Sequence, residues 1–213
     1  MRKDKQVSDS TVTNVVLLGV GGQGILLASE IMARAAMHAG FDVKTNEVHG
    51  MAQRGGSVIA QVRFGKKVYS PLIAERSGDV LASFEKVEAV RGAHYLKEGG
   101  LGVVANTQIV PVTVSSGQFE YPKNIDHQIE KVFPKLSLID AQQKAMELGN
   151  VRAANVVVMG ALSVGLDLPL EVWHEAVKTS VKPKFLELNI KAFDEGRAMC
   201  EAIQVASPTC TSY

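Results

Sequence analysis

The residues best suited to chemistry are concentrated in one short stretch in the first third of the chain. Within ten residues it combines a carboxylate, an imidazole, an amide, a guanidinium and three glycines, at Glu47, His49, Gln53, Arg54, Gly50, Gly55 and Gly56. A guanidinium can hold a carboxylate or a phosphate through two hydrogen bonds, an amide both donates and accepts, and an imidazole exchanges protons near neutral pH. This polar segment (residues 47–56) is predicted to bind an anionic substrate or cofactor, or to face a partner protein.

The same side chains have a structural explanation that the sequence leaves open. Arg54 paired with Glu47, and Gln53 bonded to the backbone of its own loop, would account for both without any ligand. No spacing of histidine, cysteine or carboxylate resembles a zinc site, and no Ser-His-Asp arrangement is evident. Binding is therefore predicted here, but no catalytic or metal-ligating residue is.

A second motif, the glycine turn (residues 19–24), has the sequence Gly-Val-Gly-Gly-Gln-Gly and matches G-x-G-x-x-G. It lies between an apolar run typical of a strand and a stretch with helical spacing, the setting in which this pattern has physical meaning. Glycines permit a tight turn and close approach of backbone N–H groups, and the start of the next helix favours an anion. The candidates for contact with a phosphate or carboxylate are Gly21, Gly22, Gln23 and Gly24. Alternatively, the glycines only let the helix pack closely on the sheet.

The elements around these motifs are predicted to bring them together. Residues 14–20 form an apolar run, residues 24–40 have helical spacing, and residues 41–47 are extended, which indicates a β-α-β unit and a parallel sheet. Residues 57–64 alternate apolar and polar side chains and are predicted to form a hairpin with an extended piece near Val68. Loops at the carboxyl ends of parallel strands line one crevice, so the glycine turn and the polar segment are expected to share a surface.

The rest of the chain continues the α/β alternation and then becomes helical. Strands are predicted at residues 79–83, 101–105 and 136–139, irregular strands at 109–121, and helices at 85–97, 125–133, 140–148, 151–165, 170–179 and 184–202. We therefore expect an α/β fold of the Rossmann-like type, with three α/β/α layers, a mostly parallel sheet, a β-hairpin insertion and C-terminal helices. A single domain (residues 12–203) would lie between a polar N-terminal tail (residues 1–11) and a C-terminal tail (residues 204–213).

Composition excludes several classes of protein. The 23 Lys and Arg balance 22 Asp and Glu across 213 residues and are scattered, so nucleic acid is not an expected partner. No apolar run is long enough to cross a bilayer and the first residues are polar, which predicts a cytoplasmic protein without a membrane partner. Cys200 and Cys210 are the only cysteines, too few for an iron–sulfur cluster, which usually takes four thiolates.

Taken together, the motifs resemble one protein family. A strand leading into Gly-Val-Gly-Gly-Gln-Gly, followed some 25 residues later by Glu-Val-His-Gly-Met-Ala-Gln-Arg-Gly-Gly-Ser, resembles the gamma-type domain of 2-oxoacid:ferredoxin oxidoreductases. The later stretch from Asn155 to Ala161 is similar to the closing N-x-x-x-x-G-A segment of that family. Within the family, this form of the second motif is most similar to the beta subunit of indolepyruvate:ferredoxin oxidoreductases.

The resemblance implies oxidative decarboxylation of a 2-oxoacid, with indolepyruvate and other aryl pyruvates as first choice, in the presence of coenzyme A. The products would be an acyl-CoA, carbon dioxide and reduced ferredoxin. Thiamine diphosphate, Mg and iron–sulfur clusters would be held by a larger partner subunit, because this chain has neither the four cluster cysteines nor a Gly-Asp-Gly motif. The chain alone would be inactive and would supply one wall of the substrate or coenzyme A site from residues 21–24 and 53–56.

Two alternatives remain open from the sequence. One is an NAD- or FAD-dependent oxidoreductase that binds its cofactor with Gly19, Gly21, Gly24 and Glu47, an acid near the position of a ribose ligand. The other is a non-catalytic assembly or regulatory subunit in which both glycine-rich stretches serve only protein contact.

Overall fold

The computed structural model describes residues 12–50, 56–110, 112–115, 117–118 and 120–206. The strands are β1 Thr13–Val20, β2 Asp42–His49, β3 Ser57–Gly65, β4 Gly78–Ser83, β5 Leu96–Ala105 and β6 Leu136–Ile139. The helices are α1 Ile25–His38, α2 Lys86–Gly92, α3 Val112–Ser115, α4 Ile125–Val132, α5 Ala141–Glu147, α6 Ala154–Ser163, α7 Leu170–Ser180 and α8 Leu186–Ala206. The strands form one six-stranded sheet in the order β2-β3-β1-β4-β5-β6.

The sheet is the middle of three layers, as expected. Strand β1 shows why, because Val15 and Leu17 enter a core shared with α1, α5, α6, α7 and α8, while Val16 and Leu18 enter a second core with α2 and α4. All four side chains are at most 1% exposed. A strand covered on both faces needs a continuous apolar run rather than an alternating one, which is what the sequence of β1 provides.

The predicted hairpin lies elsewhere. Strand β3 pairs antiparallel with both β2 and β1, so it inserts between the two strands of the expected β-α-β unit and runs against the rest of this sheet. The segment after Gly65 is not a strand. It is held by hydrogen bonds to side chains rather than by backbone hydrogen bonds to a neighbouring strand. Asp42 accepts from the Val68 N–H at 3.0 Å, and Arg63 donates to the Ser70 carbonyl at 2.8 Å. The hairpin is therefore β2–β3, and the polar segment contains its connection.

Two further predictions about the sheet and its neighbours are wrong. The irregular strands predicted at residues 109–121 are not strands in the described part of that segment, which contains α3 and is held by bonds to the Glu85 carboxylate. The helix predicted to reach residue 97 ends at Gly92, and β5 begins at Leu96. The glycines interpreted as a break lie inside β5, where Gly99 adopts φ +73° at an irregularity in the pairing with β4.

Helices α6 and α8 pack closely together. Every residue of α6 from Asn155 to Ser163 is buried, which explains an apolar helix with no polar face. In the described part of the chain, none of the helices has the length and apolar character needed to cross a membrane. Helix α6 instead runs through the core and carries Asn155 to the edge of the sheet where the glycine turn lies.

Candidate functional site

The glycine turn and the polar segment meet at one edge of the sheet. The Gly21 N–H donates to the Gly56 carbonyl at 2.9 Å, and the Gly50 N–H donates to the Ser57 carbonyl at 2.7 Å. The contact follows from the register, because Val20 at the end of β1 stands opposite Ser57 at the start of β3. The described ends of the polar segment therefore lie beside the glycine turn, and the antiparallel β3 brings them there rather than neighbouring parallel strands.

The glycine turn is held by its own glutamine. The Gln23 side chain accepts from the Val20 N–H at 2.8 Å and donates to the Phe84 carbonyl at 2.6 Å, which ties the ends of β1 and β4. This is the point where the connections diverge, because α1 leads from β1 to one side of the sheet and α2 leads from β4 to the other. Both ends of the Gln23 amide are thus bonded within the chain, while Gly21 and Gly22 remain exposed.

Glu47 and His49 end the edge strand β2, and both are exposed. In a dinucleotide-binding fold the strand that carries the ribose ligand pairs directly with β1. Here β3 lies between them, which places Glu47 about 10 Å from β1 at two strand spacings rather than about 5 Å at one. This arrangement disfavours the NAD or FAD interpretation. Gln53, Arg54 and Gly55 lie outside the described residues, so their predicted roles stay predictions.

A cleft of about 560 Å³ opens beside the glycine turn. Its walls come from the turn, the ends of β4 and β5, and the start of α5 and α6: Gly22, Gln23, Gly24, Phe84, Ala105, Thr107, Ile109, Ala141, Gln142, Val151, Arg152, Ala154, Asn155 and Val158. The N-terminus of α1 adjoins this cleft, and Arg152 adds an exposed guanidinium. Backbone N–H groups and a guanidinium together suit an anionic ligand.

Asn155 links the cleft to the turn. Its Nδ2 donates to the Gly24 carbonyl at 3.3 Å, and its Oδ1 is buried without a hydrogen-bond partner among the described residues. Gly24 adopts φ +79° and approaches Asn155 so closely that a Cβ at this position would lie 2.4 Å from Nδ2. Sequence reasoning noticed Asn155 only through the family motif, because the contact joins residues 131 positions apart.

The start of α2 adds two buried carboxylates that sequence reasoning missed. Glu85 is 2% exposed and accepts from the Tyr121 hydroxyl at 2.8 Å and from the Glu88 N–H at 2.9 Å. Glu88 is 7% exposed and accepts from the Ser57 hydroxyl at 2.5 Å and from Arg91 Nη1 at 2.7 Å. Burial, together with the Glu85 carboxylate, raises the pKa of Tyr121 well above its usual value. The available signal was the pair of glutamates three residues apart at a helix start.

A second cleft, of about 710 Å³, lies at the opposite edge of the sheet, at the amino ends of β4, β5 and β6. It includes Asp79, Lys97 and Lys135 but none of the predicted site residues. Within the described ranges, no group of three or more His, Cys, Asp or Glu side chains is arranged to hold a metal ion. The predicted site residues Gly22, Gln23 and Gly24 lie at the first cleft, together with the start of α1 and Arg152.

Comparison with known proteins agrees with the motifs. A family model described as pyruvate ferredoxin/flavodoxin oxidoreductase matches residues 14–199, and the chain belongs to this family. Within the family, it is 47% identical over 188 residues to the indolepyruvate oxidoreductase subunit IorB of Pyrococcus horikoshii, which covers 86% of this chain and 93% of the relative. The family resemblance inferred from the paired motifs is thereby confirmed.

Solved structures share the fold. The gamma subunit of a keto/oxoacid ferredoxin oxidoreductase from Geobacter sulfurreducens has a TM-score of 0.69 at 24% identity, covering 91% of this chain and 98% of that one. A 2-oxoglutarate:ferredoxin oxidoreductase from Magnetococcus marinus, solved with 2-oxoglutarate, coenzyme A and succinyl-CoA, has a TM-score of 0.68 at 23% identity. The match covers 91% of this chain but 32% of that one, so the fold also occurs as part of a longer polypeptide.

Proposed function

We propose that this chain is the cluster-free subunit of an indolepyruvate:ferredoxin oxidoreductase in the cytoplasm. The observation that carries the proposal is the 47% identity to an indolepyruvate oxidoreductase subunit across 93% of that subunit. The complete enzyme would convert an aryl pyruvate and coenzyme A into an acyl-CoA and carbon dioxide, and the released electrons would reduce ferredoxin. Thiamine diphosphate with Mg and the iron–sulfur clusters would belong to a larger partner subunit, which supplies the bond-making chemistry.

The contribution of this chain is to bind and orient. The α1 N-terminus and the exposed backbone at Gly22 offer N–H groups to an anion, and Arg152 offers a guanidinium group. The sequence predicts a second guanidinium from Arg54. Coenzyme A carries several phosphates and a 2-oxoacid carries a carboxylate, so either presents the charge that this edge suits. Residues that hold such a group in place raise the fraction of encounters that react. They do not themselves make or break bonds.

Arginine substitutions test this binding role. Arg152→Ala in the assembled enzyme is expected to raise KM for coenzyme A about fivefold, equivalent to ~1 kcal/mol, and to leave kcat nearly unchanged. Arg54→Ala is expected to act in the same direction on the KM of coenzyme A or of the 2-oxoacid. The matched control is Arg34→Ala on the outer face of α1, where the guanidinium pairs with Glu30 at 2.7 Å. Normal assembly with unchanged kinetics in both site variants would reject the role.

The subunit assignment is tested by co-purification with the large subunit. The assay follows aryl-pyruvate- and coenzyme-A-dependent reduction of a low-potential dye, with and without this chain. Activity that requires both chains supports the proposal. Full activity of the large subunit alone would favour the assembly or regulatory alternative, and no activity with any 2-oxoacid would reject the oxidoreductase assignment.

A further inference from the structure

One wall of the cleft beside the glycine turn is held by a buried carboxylate. Thr107 and Ile109 line this cleft beyond the end of β5, and Ile109 is half-buried. The Ile109 N–H donates to Glu85 Oε1 at 3.3 Å, so a side chain rather than a neighbouring strand accepts from this backbone group. Glu85 is itself 2% exposed and stands behind the lining of the cleft rather than in it.

The Glu85 carboxylate accepts from three neutral donors. Oxygen Oε1 accepts from the Ile109 N–H and from the Tyr121 hydroxyl, the latter at 2.8 Å. Oxygen Oε2 accepts from the Glu88 N–H at 2.9 Å, and this bond caps α2. A carboxylate that is nearly removed from water is costly unless it is hydrogen-bonded, so its donors are held firmly. Glu85 therefore fixes the backbone of Ile109 to the start of α2.

Glu85 also stands between the residues that connect the cleft wall to the glycine turn. The preceding Phe84 carbonyl accepts from Gln23 Nε2 at 2.6 Å, which is a bond to the glycine turn. The following Lys86 N–H donates to the Thr107 carbonyl at 3.0 Å, which is a bond to the cleft wall. A change in the contacts of Glu85 is therefore transmitted to the lining of the cleft.

We propose that Glu85 is a positioning residue that holds Ile109 in the wall of the cleft and so sets the space in which coenzyme A or the 2-oxoacid binds. The proposal rests on the proposed function and adds a residue outside both glycine-rich motifs. Because Glu85 acts through Ile109, its substitution should weaken ligand binding. The bond chemistry, which belongs to the larger subunit, should proceed at nearly the same rate.

Two substitutions of Glu85 separate its bond to Ile109 from its cap on α2. Aspartate is a favoured capping residue, so Glu85→Asp keeps an acceptor for the Glu88 N–H but is too short to reach Ile109 as well. In the assembled enzyme, Glu85→Asp is expected to raise KM for coenzyme A or for the aryl pyruvate about fivefold, with kcat within about twofold. The KM that rises identifies the ligand that the cleft holds. Glu85→Gln, which keeps the length but only one acceptor oxygen, should fall between Glu85→Asp and wild type.

Tyr121→Phe is the matched control. It removes one of the three donors to the same carboxylate and leaves the bond to Ile109, so both KM values should stay within about twofold of wild type. Loss of a buried hydrogen bond lowers the melting temperature of either variant, whereas only the Glu85 variants should raise a KM. A rise in KM in Tyr121→Phe as large as that in Glu85→Asp would overturn the positioning role.

A second readout needs no partner subunit. Amide hydrogen exchange at Ile109, followed by NMR in the free chain, is expected to be several-fold faster in Glu85→Asp than in wild type or Tyr121→Phe. An unchanged exchange rate in Glu85→Asp overturns the role, and so do two KM values equal to those of wild type. Absence of catalysis with wild type rejects the proposed function, and the exchange rates then decide alone whether Glu85 holds Ile109.

Discussion

Gly160→Ala is expected to lower the free energy of unfolding by about 3 kcal/mol, because the added methyl group would have no space. A Cβ at Gly160 would lie 1.9 Å from the Phe193 carbonyl oxygen, a backbone atom of α8 that cannot rotate away. The contact is reciprocal, since a Cβ at Gly196 of α8 would lie 1.9 Å from the Val157 carbonyl oxygen of α6. Alanine can be accommodated only if the two helices move apart and expose apolar surface.

The sign of this effect makes it informative. Alanine is favoured over glycine inside a helix by about 1 kcal/mol, so intrinsic propensity alone predicts that Gly160→Ala stabilises the protein. Urea or thermal unfolding measures the difference. Gly21→Ala is the control, because its Cβ would meet only the Gly56 carbonyl oxygen at an ordinary 3.7 Å. A stability of Gly160→Ala equal to or above wild type would show that α6 and α8 are not packed as closely as described.

The sequence predicted most elements because their patterns are local. Strand β6 was predicted at its observed bounds, Leu136–Ile139, and α4 and α7 within one residue at each end. Strand pairing is a different matter, since alternation along β3 shows that one face is buried but not which strand lies beside it. In the structure β3 pairs with β2 and β1, while the predicted partner near Val68 is held by side-chain bonds to Asp42 and Arg63 instead.

For the candidate site too, local motifs were predicted from the sequence and long-range contacts were not. Both glycine-rich motifs were predicted, and the bond between Gly21 and Gly56 brings them together. Asn155 and Glu88 were missed as parts of the site because their roles depend on contacts with Gly24 and Ser57 that no local pattern encodes. An apolar helix with one asparagine carries no signal of its own until the fold places it, and a Glu-x-x-Glu pair at a helix start indicates a helix cap but not a contact with Ser57.

Gly24→Ala is expected to raise KM for coenzyme A about tenfold in the assembled enzyme and to lower the free energy of unfolding by about 2 kcal/mol. Gly24 stands at the start of α1 with φ +79°, a backbone conformation that costs an L-residue about 1 kcal/mol or more. Its Cβ would also lie 2.4 Å from Asn155 Nδ2, and the buried asparagine would have to shift. The backbone N–H groups of the turn would move with it.

Gly40→Ala provides a matched control for Gly24→Ala. Gly40 follows α1 with φ +86°, nearly the same backbone conformation, but a Cβ there would meet nothing within 4 Å. The control should therefore lose about 1 kcal/mol of stability from strain alone, with unchanged kinetics. Kinetic constants for both variants, together with Asn155→Ser in the Gly24→Ala background, separate strain from displacement of the asparagine. If the clash moves the turn, the double variant recovers part of the affinity for coenzyme A. If instead Gly24→Ala binds coenzyme A as wild type does, the glycine turn is not the anion site and its glycines serve helix packing alone.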